Sequence, residues 1–178
     1  MFKKLTMVVM SATLLTVAAQ AQFNTTGTTS VSVTVAAEAS LQVNTATTTL
    51  ANVGTIFNAY TGTTNFTYKV RTTKTGGSGT ITLEVTSDFS PANGPSVATP
   101  PTAGDAMTYT CTVSAPGTGC TGSVTSSTAS ATSVATFGTN AHSASAGNTG
   151  SVAWSLTDDP TYQTGAYSAT VTFTISAA

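Results

Sequence analysis

The sequence predicts an all-β chain: a single antiparallel β-sandwich, immunoglobulin-like or jelly-roll-like, of about seven to ten strands. Three observations carry that expectation. Apolar residues recur at every second position in run after run, the period that sends one set of side chains to a core and the other to solvent. Outside the N-terminal segment no window holds the i, i+3, i+4, i+7 apolar pattern of an amphipathic helix. Thr is the commonest residue and Gly is frequent, and both disfavour helix.

Taken in order, the first element is a targeting segment. Lys3 and Lys4 precede an apolar run from Leu5 to Ala19, and Ala19-Gln20-Ala21 offers the small-residue cleavage pattern, so residues 1–21 read as a secretory signal peptide. The run is short for a spanning helix, and nothing downstream forms a second one, so no transmembrane helix is expected after cleavage. Residues 22–178 then suit one sandwich domain.

Val31, Val33 and Val35 alternate with Ser32 and Thr34 as the first strand, and Leu41 and Val43 continue it after a small-residue break. Phe66, Tyr68 and Val70 form the next run, followed by Ile81, Leu83 and Val85. Between them Gly76-Gly77-Ser78-Gly79 supplies the positive φ angles of a turn, and the two runs are expected to pair as a hairpin. Pro91, Pro95, Pro100 and Pro101 make Ser90–Gly104 one long loop, because proline excludes both helix and central strand. Met107, Tyr109, Cys111 and Val113 share a face, and the chain resumes through Cys120 and Val124 after the turn at Ala115–Gly119. Ser126–Thr136 is a weaker region with Val134 and Phe137 as core contacts. Val152, Trp154 and Leu156 mark another strand, and Tyr167, Ala169, Val171, Phe173 and Ile175 form the longest alternation. Uneven strand spacing and the Pro-rich loop suit crossovers between two sheets better than the regular hairpins of an up-and-down barrel.

Charged residues make up 6% of the chain, against roughly 25% in ordinary soluble domains. Beyond the leader, Lys69, Arg71 and Lys74 stand against Glu38, Glu84, Asp88, Asp105, Asp158 and Asp159. Such an acidic balance argues against a nucleic-acid partner, whose phosphates need a basic surface. Disorder is disfavoured too, since disordered chains combine low hydrophobicity with high net charge.

Cys111 and Cys120 are the two cysteines, and an even count in an exported chain predicts a disulfide, here one that pins a single hairpin across the Pro116-Gly117 turn. Their spacing lacks the C-x-x-C geometry of redox sites, and no further cysteine or nearby histidine completes a metal set. His142 is the one histidine and no G-x-S-x-G elbow accompanies it, so it reads as a loop residue. Asp158-Asp159-Pro160 reads as a turn, since Asp before Pro bonds its own backbone. It would offer oxygen ligands to Ca²⁺ only if the fold brought Asp105 or Glu84 beside it. Trp154 is expected to be buried with Val152 and Leu156, while Tyr60, Tyr162 and Tyr167 are candidate surface aromatics. No catalytic set, metal site or cofactor is predicted, and the chain reads as a non-enzyme.

The C-terminal stretch from Asp158 through Gly165-Ala166-Tyr167 to Ile175, a Gly-x-Tyr turn followed by alternating Thr and apolar residues, resembles the closing strand of secreted bacterial β-sandwich surface proteins. Fimbrial-type subunits and spore-coat-U-like domains end in this manner. Trp154-Ser155-Leu156 also resembles the W-x-L tripeptide of wall-binding domains. The resemblance implies a secreted, periplasmic or cell-surface location and a cell-surface or fibre-associated structural role, such as a fimbrial-type subunit whose partners are itself or other surface proteins. Val31, Val33 and Val35 are the candidate residues for strand exchange with another subunit. The alternative is an extracellular carbohydrate- or protein-binding module that uses the Ser90–Gly104 loop and exposed tyrosines.

Overall fold

Phe66, Tyr68 and Val70 project to one side of a single strand and are all buried, while Asn65 just before them and Lys69 among them are exposed. The same two-residue period organises each long element of the computed structural model, which describes residues 26–178. The predicted signal peptide, residues 1–21, lies outside the described residues. Ten strands are present among the described residues: β1 (Glu38–Val43), β2 (Ala51–Asn52), β3 (Tyr60–Arg71), β4 (Gly79–Ser90), β5 (Met107–Val113), β6 (Thr118–Gly119), β7 (Val124–Thr125), β8 (Thr132–Phe137), β9 (Asn148–Leu156) and β10 (Ser168–Ala177). They form a sandwich of two antiparallel sheets within the compact unit Val35–Ala178.

The six-stranded sheet has the order β1-β3-β9-β5-β7, with β2 also pairing β3; the four-stranded sheet has the order β10-β4-β8-β6. From β3 onward the chain changes sheet at every connection, so no strand pairs with its immediate successor. Successive strands from β3 to β10 thus fall alternately in the two layers of the sandwich. This alternation corrects the expected hairpin. β3 pairs with β1 and β9, β4 pairs with β10 and β8, and residues 72–78 arch between the layers. A period of two fixes which face of a strand is buried but is the same for strands lying side by side and strands facing each other across a core.

Inward residues of the two sheets interdigitate. Tyr68 and Phe137 meet across the layers with ring centroids 5.2 Å apart, and Phe66 meets Phe173 at 5.9 Å. Tyr109 and Trp154, neighbours on β5 and β9, pack edge to face at 5.4 Å, an arrangement aromatic quadrupoles favour. Trp154 is buried as expected, and its Nε1–H donates to Thr64 Oγ1 at 2.8 Å. The weakly patterned region after Ser126 contributes Val134, Ala135 and Phe137 to the core.

The chain also departs from expectation at its start. Val31, Val33 and Val35 lie outside every strand, and the first strand begins at Glu38. The adjoining unit, ending at Thr34, contributes residues 26–34, which hold no strand and are exposed. Alternation is necessary for a half-buried strand, but without a neighbouring edge it has nothing to pair with.

Candidate functional site

Sheet edges decide what such a surface can do, because an edge presents unpaired N–H and C=O groups. β10 is one edge and β1 is the edge of the opposite sheet, and the two lie against each other on one side of the sandwich. β10 hydrogen-bonds only to β4. Its inward residues Val171, Phe173 and Ile175 are half-buried, whereas Ile81, Leu83 and Val85, their partners on β4, are fully buried. On β1, Leu41 is also half-buried and Val43 is 40% exposed. The core is therefore incompletely covered along this side. β10 carries no charged residue and no proline, the usual means of blunting an edge.

Chain entry to this side is anchored by Arg71. Its Nε–H donates to the Ala36 carbonyl at 2.7 Å, and its guanidinium pairs with Glu38 at 2.8 Å. Just before this anchor stand the three valines: Val31 is 92% exposed, Val33 86% and Val35 63%. Exposed β-branched side chains at every second position are the composition of a strand, here one without a sheet.

The opposite side of the sandwich is closed covalently. Cys111 lies on β5 and Cys120 follows β6, with Cα atoms 5.3 Å apart in a disulfide. The Cys120 N–H continues the β6–β8 ladder by donating to the Val134 carbonyl at 3.0 Å. The bridge thus joins the two sheets rather than pinning a hairpin of paired strands, because β5 and β6 belong to different layers. A disulfide places the chain in an oxidising, extracytoplasmic compartment. Among the described residues no helix is long and apolar enough to cross a membrane.

The loop ends carry the remaining polar clusters. The Asp88 carboxylate accepts hydrogen bonds from the N–H groups of Phe89, Val97 and Ala98 and from the Ser96 hydroxyl. Burial pushes this carboxyl up, but those donors outweigh it and hold it below its ordinary value. The proline-rich loop is in this way folded back onto the end of β4. Its walls meet the segment around Gln163 in a cleft of about 510 Å³.

Asp158-Asp159-Pro160 does form a turn: the Asp159 carboxylate accepts the Thr161 N–H at 2.7 Å and its carbonyl accepts the Tyr162 N–H at 3.0 Å. Asp105 comes beside Asp159 and accepts from the Tyr162 hydroxyl at 3.2 Å. Asp158 instead meets Asn52 at 3.0 Å, and Glu84 lies away on β4. Among the described residues no three His, Cys, Asp or Glu side chains gather as a metal site. His142 is exposed in the loop before β9, bridged through its backbone to Arg71. Tyr60, Tyr162 and Tyr167 are half-buried rather than fully exposed. Comparison of the chain with protein-family models, curated proteins and solved structures gives no match.

Proposed function

We propose that the protein is an extracytoplasmic, non-enzymatic structural subunit of a surface layer or fibre that joins copies of itself by strand addition. In this reading Val31, Val33 and Val35 of one copy pair with the free edge of β10 on the next. The observation that carries it is the coexistence of an exposed, strand-patterned segment with a long, uncharged edge over a half-covered core. Main-chain hydrogen bonds along the edge supply affinity, and alternate side chains entering the uncovered core supply register. Burying three valines that now face solvent adds about 1.5–3 kcal/mol each.

A synthetic peptide of residues 28–37, added in excess to the purified protein, tests this by amide hydrogen exchange. Exchange of the β10 amides is expected to slow with peptide, and a peptide carrying Asp at positions 31 and 33 to have no effect. Unchanged β10 exchange at saturating peptide would overturn the reading.

A further inference from the structure

The cleft beside β4 has the features of a small-ligand site. Its volume of about 510 Å³ falls in the roughly 300–1,000 Å³ range of ligand pockets. Phe89, Pro95 and Pro101 give it apolar walls, and Asn93 and Gln163 bring side-chain amides to the same space. Those walls are fixed before any ligand arrives. Asp88 holds two backbone N–H groups and a hydroxyl from the loop, the Gln163 N–H donates to the Asn93 carbonyl at 2.9 Å, and the Tyr167 hydroxyl donates to the Gln163 carbonyl at 2.7 Å. The Tyr167 ring lies so close over Gly94 that a Cβ there would collide with it.

The chemistry of the lining narrows the ligand. Lys69, Arg71 and Lys74 all lie on β3 or the arch after it, and none lines the cleft, so a phosphate or other anion would find no cation. Asp88 is the one charged group in the lining, and its oxygens are already used by the loop. What remains is one aromatic side chain, partly buried against the core, two prolines, two amides able both to donate and to accept, and the hydroxyls of Thr99 and Thr161. An apolar platform bordered by neutral donors and acceptors matches the alternating C–H faces and hydroxyl edges of a sugar ring. We infer that this cleft binds a neutral oligosaccharide, a function separate from strand addition at β10.

Calorimetric titration of the full protein with three probes, chitohexaose, cellohexaose and maltohexaose, tests the inference. At least one is expected to bind. Two variants report on the site: Asn93→Gly, which removes the amide while suiting the positive φ of 71° at this position, and Gln163→Ala. Each is expected to weaken binding by about tenfold, the effect of losing one well-placed hydrogen bond, while Thr63→Ser on the far sheet leaves it unchanged. Circular dichroism checks that each variant is folded. No heat with any probe at millimolar concentration, or equal affinity in the folded cleft variants, overturns the proposal. Preference for chitohexaose would assign the amides to acetamido groups, and equal binding of all three to ring hydroxyls.

Discussion

Cys111 and Cys120 sit in different sheets, so their disulfide fastens one side of the sandwich while β1 and β10 leave the other side partly open. The closed loop is short, with a sequence separation of 9. Loop-closure entropy for that length gives roughly 2.5 kcal/mol of stabilisation through the unfolded chain. A Cys111→Ala, Cys120→Ala double variant is expected to lose stability by about that amount in urea unfolding. An unchanged midpoint would mean that side-chain packing between the two sheets holds this end together without the disulfide.

Tyr68 connects the same region to the centre of the core. Its hydroxyl donates to the Ser114 carbonyl and accepts from the Gly117 N–H at 3.0 Å, so one side chain organises the turn that leads to Cys120. Tyr68→Phe preserves the ring contact with Phe137 and takes the hydroxyl from both backbone groups, which keep the 3.2 Å bond from the Gly117 N–H to the Ser114 carbonyl. A loss of about 0.5–1.5 kcal/mol is expected. If the loss in denaturant unfolding were below about 0.5 kcal/mol, water would have replaced the hydroxyl and the turn would not depend on it.

Much of the strand content was legible in the sequence, since Phe66-Tyr68-Val70, Ile81-Leu83-Val85 and Val152-Trp154-Leu156 all fall on buried strand faces. Alternation is a local signal and reads out local geometry faithfully. Pairing is not local. The arch at residues 72–78 carries the glycines of a hairpin turn, yet its flanking strands face each other across the core. The valines at 31, 33 and 35 show the same limit, for their pattern is that of a strand and they lie outside every strand among the described residues. The cleft was half visible: the prolines marked a long loop, but the three hydrogen bonds from Ser96, Val97 and Ala98 to Asp88 that shape it connect positions whose relation only folding reveals.

Trp154 gives the core a spectroscopic reporter. Its indole N–H is bonded to Thr64, whose hydroxyl also meets Thr48 Oγ1 at 2.6 Å, so a chain of polar contacts runs from the core towards the segment before β2. Thr64→Val removes this acceptor at nearly constant volume. Unfolding free energy is expected to fall by about 1–3 kcal/mol, because an indole N–H buried without a partner loses its hydration. Native fluorescence should shift to shorter wavelength as the hydrogen bond is lost. An unshifted emission maximum would show that the indole had found another acceptor.

Strand addition makes a different kind of demand, on the assembled state alone. Val33 is 86% exposed, so Val33→Asp should leave the thermal midpoint of the isolated subunit within about 1 °C, as surface substitutions usually do. In an assembly the same side chain would be buried, and an unpaired carboxylate there is costly. Light scattering across a concentration series should therefore show association of the parent chain and none of the variant. Equal association of the two would remove Val33 from the interface.

The paired carboxyls at the other end of the sandwich respond to acid in opposite senses. A hydrogen bond from the Thr102 hydroxyl, together with the Thr161 N–H, holds the Asp159 carboxyl down to about 2. Burial and the neighbouring Asp159 push the Asp105 carboxyl up. A depressed carboxyl stabilises the fold above its ordinary value of 3.8 and loses that contribution as pH falls through about 2. A raised carboxyl does the reverse: its contribution is present at low pH and is lost as pH rises through its folded value. Acidification should thus first protonate Asp105, which can then donate to Asp159 and tighten the contact between the proline-rich loop and the Asp159 turn. Only near pH 2 should that contact fail. Carboxyl carbon shifts followed by NMR would separate the two steps, Asp105 titrating above 3.8 and Asp159 near 2. Asp105→Asn, a permanent neutral donor, should keep Asp159 low. If both carboxyls titrated together near 3.8, the two loops would not be coupled through this pair.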